Sequence, residues 1–104
     1  MKALRIDSDT AQARIIDIDS TDTRTELRAM QTEIGGYLET LRLSRDTVML
    51  CDEMGVLKRL PQNPLASLIA HRIILGTALL VGIEQGDDED RLTDCPERYR
   101  ALLE

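Results

Sequence analysis

The sequence has few of the residue types on which common binding and catalytic sites depend. Its 104 residues contain no Phe or Trp, two Tyr, one His and two Cys. The missing aromatic side chains remove the usual stacking platform for unpaired bases. A single histidine excludes a metal site built from several imidazoles. The core must therefore be aliphatic, built from Leu, Ile, Val, Met and Ala.

The two cysteines, Cys51 and Cys95, are too few and too far apart for a disulfide framework or a paired zinc site. We expect free thiols in a cytoplasmic protein, with Cys51 buried and Cys95 near the surface. The N-terminus lacks the continuous apolar stretch of a secretory signal. The longest apolar run, 73–83, is interrupted by two Gly and one Thr. It is too short to span a bilayer.

Acidic residues outnumber basic ones, 19 against 13, which gives a net charge of −6. Such a surface repels phosphate backbones and anionic lipids, so we expect no nucleic-acid or membrane partner and favour a basic protein surface. Four basic residues would weaken this argument if they gathered on one side of the molecule: Arg42, Arg45, Lys58 and Arg59. The length fits one domain, residues 1–104.

The first third of the chain predicts a β-hairpin and a helix. Ala3–Asp7 and Arg14–Asp19 alternate apolar and polar residues as half-buried strands do. After several capping residues in 21–25, apolar side chains recur at helical spacing at Leu27, Met30, Ile34 and Leu38. We predict that Gly35 ends this helix with a positive φ, with Gly36 as the alternative.

The middle of the chain predicts further strands. Tyr37–Leu43 alternates, and Val48–Cys51 is a short apolar run that suits a central strand. The segment 52–55 reads as a tight connection to Val56–Leu60, which predicts a second hairpin.

A short helix and a late strand follow. Asn63 is placed to cap a helix that begins at Pro64, with three side chains facing inward: Leu65, Leu68 and Ile69. Ile73–Ile83 reads as a buried strand and Gly86–Asp90 as a charged loop. Asp94 reads as the cap of a terminal helix over Pro96–Leu103. The pattern predicts an α+β fold: a mainly antiparallel sheet of five or six strands, with two hairpins and a late buried strand, packed with two or three helices.

The order of several short motifs resembles a known family. These motifs are Met1-Lys2-Ala3-Leu4, Ile34-Gly35-Gly36-Tyr37-Leu38-Glu39, Cys51-Asp52-Glu53-Met54-Gly55, Leu60-Pro61-Gln62-Asn63, and Gly76-Thr77-Ala78-Leu79-Leu80-Val81-Gly82. The family is the uncharacterised domain of unknown function 3846, whose small members occur in bacteria, bacteriophages and mobile elements. The resemblance implies a bacterial or viral setting and an accessory role. It carries over no catalytic residue.

Two loops are candidate sites. The first is Pro61, Gln62 and Asn63 with Tyr37, which reads as a capped turn or as a rigid loop presented to a partner or small ligand. The second is the acidic loop of Asp87, Asp88, Glu89 and Asp90, which lacks the spacing of an EF-hand.

No catalytic residue, cofactor site or metal site is predicted. Ser67 and His71 share a helix face, but no nucleophile elbow accompanies them. We therefore expect a non-enzymatic accessory protein that binds a macromolecular partner, most simply a protein, through its acidic surface and loops. The rival hypothesis is a small-molecule-binding domain or small enzyme with a pocket near Asn63 and Tyr37. A homodimer is a further alternative.

Overall fold

An antiparallel sheet with helices on both faces organises the chain. The computed structural model describes residues 1–10 and 12–101. The strands are β1 (Lys2–Ile6), β2 (Ala13–Asp17), β3 (Leu38–Arg42), β4 (Thr47–Asp52), β5 (Ala78–Glu84) and β6 (Arg91–Thr93). The helices are α1 (Thr23–Ile34), α2 (Pro64–Ala70) and α3 (Glu97–Arg100). The predicted α+β class with a mainly antiparallel sheet is confirmed.

The sheet order is β2-β1-β5-β4-β3, with β6 paired to β5. All these pairings are antiparallel, and β1 and β2 form the predicted N-terminal hairpin. The late strand β5 therefore lies at the centre of the sheet, between β1 and β4. β1 and β6 both pair with the same side of β5, one after the other along its length. The backbone N–H of Cys95, just after β6, donates to the carbonyl of Lys2 in β1 at 2.8 Å.

Alternation along the two central strands builds a core on each face of the sheet. All six residues of β4 are buried, as predicted for a central strand. One core packs against α1 and contains Met30, Ile34, Val48, Leu50, Leu79 and Val81. The other packs against α2 and contains Leu4, Ile6, Met49, Cys51, Ala66 and Leu80. Aliphatic side chains fill both cores, as the composition requires.

The ends of α1 follow the predicted capping chemistry. The Asp22 carboxylate accepts the Thr25 backbone N–H at 2.8 Å, which satisfies one of the free N–H groups of the first turn. Gly35 has φ 91° and donates its N–H to the carbonyl of Gln31 at 2.8 Å. The prediction that Gly35 stops the helix is therefore confirmed. Leu27 lies toward the solvent side of α1 and is 44% exposed.

The predicted second hairpin from Val48–Cys51 to Val56–Leu60 is wrong. β4 pairs with β3 and β5, and residues 53–59 form consecutive turns. The Asp52 carboxylate bends the chain back because it accepts the Met54 backbone N–H at 2.8 Å and the Lys58 ammonium at 2.7 Å. The apolar residues of this segment therefore project outward instead of pairing.

The helix after Asn63 begins as predicted at Pro64 but ends at Ala70. It buries Ala66, and the prediction that Leu68 faces inward is wrong because Leu68 is 72% exposed. The strand predicted from Ile73 begins only at Ala78. The intervening backbone is irregular, with positive φ at His71 and at Gly76.

The end of the chain departs most from prediction. The short strand β6 was not predicted, and Asp94 does not cap a helix because its carboxylate accepts the Lys2 backbone N–H at 2.8 Å. The same connection to β1 buries Cys95 to 2% exposure, so its predicted surface position is wrong. α3 ends at Arg100, and the predicted end of this helix at Leu103 lies outside the described residues. No helix within residues 1–10 and 12–101 is long and apolar enough to cross a membrane.

Candidate functional site

Asn63, the central residue of the first candidate loop, is fully buried and its amide is used inside the fold. Its Nδ2 donates to the carbonyls of Ile6 at 3.0 Å and Gly76 at 2.9 Å. Its Oδ1 accepts the Ala66 backbone N–H at 3.1 Å, which caps α2. The residue thus joins β1, the segment before β5 and α2. A molecule that docked on this loop would meet its exposed neighbours and not the Asn63 amide.

Those neighbours lie at the surface. Pro61 and Gln62 are exposed, and Gln62 forms an isolated bridge with Leu75. Tyr37, which immediately precedes β3, is 69% exposed. Leu75 itself lines a cleft beside β3 and β4. None of the four predicted residues Tyr37, Pro61, Gln62 and Asn63 lines this cleft itself.

That surface is a small cleft with exposed aliphatic side chains. The cleft has a volume of about 120 Å³ and is lined by residues of β3, β4, the turns after β4 and the segment before β5. Two of its lining side chains, Val56 and Ile73, are 78% and 67% exposed, and the adjacent Leu57 is 74% exposed. We call the cleft with Val56 and Ile73 the apolar cleft. Contiguous exposed apolar surface is a feature of contact sites, and here it is accompanied by charged lining residues.

The charges of the apolar cleft are mainly negative. Its lining includes the carboxylates Glu39, Asp52 and Glu53 and one guanidinium, Arg72. Arg72 lies 3.7 Å from Glu39, whereas the buried Asp52 carboxylate binds Lys58 at 2.7 Å. Glu53 is exposed and has no ion-pair partner among residues 1–10 and 12–101. The cleft thus combines aliphatic contacts with an excess of negative charge.

Cys51 lines the cleft, and Ser67 and His71 precede its lining segment 72–75. Burial, reinforced by Glu39, raises the pKa of the Cys51 thiol to about 11. The thiol is therefore protonated at neutral pH and a poor nucleophile. The Ser67 hydroxyl accepts the Ile74 backbone N–H at 2.8 Å, which holds the turn after α2. His71 is an exposed helix-ending residue with φ 57°.

The acidic loop borders a second, wider groove. Asp87, Asp88, Glu89 and Asp90 are all exposed and connect β5 to β6. Glu89 and Asp90 face the start of α1 across a groove of about 550 Å³, whose apolar lining residues are Leu27, Met30 and Leu92. Burial raises the pKa of Glu26, another lining residue. The groove therefore combines carboxylates with apolar lining residues.

The guanidinium groups that line the two surfaces are ion-paired, Arg72 with Glu39 and Arg91 with Glu84. In the part of the chain that the structure describes, no three His, Cys, Asp or Glu side chains come together to hold a metal ion. The basic residues Arg42 and Lys58 are engaged within the fold. Arg42 donates to the carbonyls of Ser44 and Arg45, and Lys58 binds Asp52 and the carbonyl of Gly35.

The apolar cleft was missed because its residues were assigned to strands. Val56 and Leu57 fell in the predicted second hairpin, and Ile73 began the predicted buried strand. The turn at 52–55 was predicted, but nothing in the sequence of residues 56–60 distinguishes further turns from a returning strand. Apolar residues in such a turn have no sheet face to occupy.

Comparison with known proteins identifies one family. The family model described as Domain of unknown function (DUF3846) matches residues 1–104. No curated protein and no solved structure gives a significant match.

Proposed function

The chain belongs over its full matched length to the domain of unknown function family DUF3846, and we propose that it is a non-enzymatic accessory protein that binds a protein partner. The apolar cleft is the contact surface in this proposal, and the acidic groove beside α1 adds long-range attraction for a partner with basic residues. The protein acts in the cytoplasm of a bacterial cell or of a cell infected by a phage.

One observation carries the proposal: the aliphatic side chains of Val56 and Ile73 line one cleft and are largely exposed. Full burial of a side chain of this size contributes about 1.5–3 kcal/mol. Covering both of them supplies several kcal/mol toward the cost of association. A single exposed aliphatic residue needs no explanation, but a group around a concavity does.

Charge and thiol chemistry support the rest of the proposal. The net charge of −6 opposes contact with phosphate backbones. Of the four basic residues that could have formed a basic patch, Arg42 and Lys58 lie at opposite ends of the β3–β4 pair, because Arg42 pairs with Val48 whereas Lys58 binds Asp52. The two cysteines are free, which suits a reducing compartment.

The experiment compares what is captured from a bacterial lysate by the tagged wild-type protein and by a double variant, Val56→Ser with Ile73→Ser. A Leu68→Ser variant is the matched control, since Leu68 is an exposed aliphatic residue that lines neither the cleft nor the acidic groove. We expect a protein retained by the wild type and the control to be lost from the double variant. With that partner purified, calorimetry should show binding weakened by about tenfold to a hundredfold. Equal capture by all three proteins, or no capture, would contradict the proposal.

A further inference from the structure

β3 forms an edge of the sheet with open backbone groups. It lies last in the order β2-β1-β5-β4-β3, so among the described residues it has a strand partner on one side only. The Leu43 N–H donates to Thr47 at 3.0 Å, and the Glu53 N–H donates to Tyr37 at 3.0 Å. Hydrogen-bonded and non-hydrogen-bonded pairs alternate in an antiparallel ladder.

This alternation fixes which β3 groups face β4. Leu43 bonds to β4 and Tyr37 to Glu53, which directly follows β4, and every second residue of a strand has the same backbone orientation. The N–H and C=O groups of Glu39 and Leu41 therefore also point toward β4. The groups of Leu38, Thr40 and Arg42 point away from the sheet. A chain in extended conformation that approached this edge would find a row of free donors and acceptors.

The open edge lies directly beside the apolar cleft. Glu39 and Leu41 of β3 line the cleft together with Val56 and Ile73. A strand added to β3 would run about 4.8 Å from it, with every second side chain on the cleft side. The cleft, at about 120 Å³, is far smaller than the roughly 300–1,000 Å³ of a drug-sized ligand site. Its size suits one side chain.

We propose that β3 binds an extended segment of the protein partner as an additional antiparallel or parallel strand, with an aliphatic side chain in the apolar cleft. The inference rests on the proposed function and adds the binding mode. Backbone hydrogen bonds to Thr40 and its neighbours provide affinity, and the cleft selects the side chain, as in other cases of strand addition.

The charges of the cleft specify the segment further. Glu39 is paired with Arg72 and the buried Asp52 with Lys58, which leaves the exposed Glu53 as the unpaired lining carboxylate among the described residues. A Lys or Arg next to the aliphatic residue complements this charge. A second copy of this chain would bring the same excess of carboxylates to the contact. The charge pattern therefore favours a basic segment of another protein over self-association.

The blocking variant is Thr40→Pro. Proline removes the outward N–H and adds bulk at the open edge, yet is tolerated at an edge strand where the N–H faces solvent. Ala13→Pro is the matched control on the opposite edge, β2. In the β1–β2 hairpin the Ile18 N–H donates to Met1 and the Asp7 N–H donates to Gln12. Because bonded and non-bonded pairs alternate, the N–H of Ala13 points away from β1. Circular dichroism and thermal unfolding verify that both variants remain folded.

The test selects binders from a library of random short peptides displayed on phage, with the full chain as bait. We expect enriched peptides to carry aliphatic residues at alternate positions with a nearby Lys or Arg. A synthetic copy of an enriched peptide should bind Thr40→Pro at least about tenfold more weakly than it binds the wild type and Ala13→Pro. Its binding should slow amide exchange at Leu38, Thr40 and Arg42.

Different failures have different meanings. Enriched peptides with helical spacing, unchanged binding to Thr40→Pro, no enrichment, or unchanged exchange at the edge amides would each overturn strand addition. If the lysate partner is lost from the Val56→Ser and Ile73→Ser variant but kept by Thr40→Pro, the apolar cleft stands as a contact surface and strand addition does not. A dimer in sedimentation that Thr40→Pro dissociates would show that a second copy occupies the edge, and would overturn the choice of partner.

Discussion

Replacing Asn63 by alanine should destabilise the whole domain while leaving the candidate binding surface chemically intact. The side chain is fully buried and makes three hydrogen bonds, to the backbone of Ile6, Gly76 and Ala66. Loss of the helix cap costs about 1 kcal/mol. Each buried carbonyl that loses its donor adds about 1 kcal/mol or more.

The expected sum is about 3 kcal/mol, a large part of the roughly 5–15 kcal/mol that keeps a domain of this size folded. Urea unfolding followed by circular dichroism measures it as a lower midpoint with an unchanged slope. Gln62→Ala is the control, since Gln62 is exposed, and it should change the free energy of unfolding by about 0.5 kcal/mol at most.

An Asn63→Asp variant gives the same argument a pH signature. A carboxylate at this position would face the carbonyl oxygens of Ile6 and Gly76, and burial and this repulsion would raise its pKa in the folded state. A group with a raised folded pKa stabilises below its unfolded pKa and loses that contribution as pH rises through the folded value. The deficit relative to wild type should therefore be smallest near pH 4 and grow toward pH 7.

Two results would refute this reasoning. One is an Asn63→Ala loss no larger than that of Gln62→Ala. The other is an Asn63→Asp deficit that does not change with pH. Either would mean that Asn63 does not connect β1, α2 and the segment before β5 as the hydrogen bonds indicate.

Three further predictions concern stability and reactivity. Gly35→Ala should lower the free energy of unfolding by about 1 kcal/mol, because φ is 91° while nothing lies within 4 Å of the added Cβ; an unchanged urea midpoint would contradict it. Cys51 and Cys95 should react slowly with thiol reagents at pH 7.5 and rapidly in urea, since burial raises the pKa of each thiol to about 11; fast labelling of the native protein would contradict this. Burial tends to raise the pKa of Asp52, but hydrogen bonds, chiefly from Lys58, bring it below its ordinary value. Asp52→Asn should therefore be destabilising at neutral pH, and progressively less so as pH falls through that lowered pKa. A difference in urea midpoint that does not change with pH would count against this prediction.

Local chemistry explains what the sequence could predict. The cap at Asn63, the stop at Gly35 and the apolar run of β4 each depend on a few neighbouring residues, and all three were correctly identified. The fold class followed from alternation and from the separation of helical and strand segments. The candidate loops were chosen from turn chemistry, and their role stays a prediction.

The errors involve interactions between distant parts of the chain. The burial of Cys95 depends on backbone contacts with Lys2, and Asp94 and Lys2 are 92 positions apart. A single sequence gives no sign of such a pairing, so the local capping pattern was misleading. The apolar cleft likewise requires the turns after β4 to meet the segment before β5, which periodicity alone does not indicate.

The central position of β5 determines when the sheet can be completed during synthesis. Until residues 78–84 have left the ribosome, the hairpins β1–β2 and β3–β4 have no strand to join them. Each then has an open inner edge in addition to its outer one, and pairing across such a long separation is slow. Nascent chains that stop before β5 should therefore aggregate or depend on chaperones, since unpaired apolar strands associate with one another.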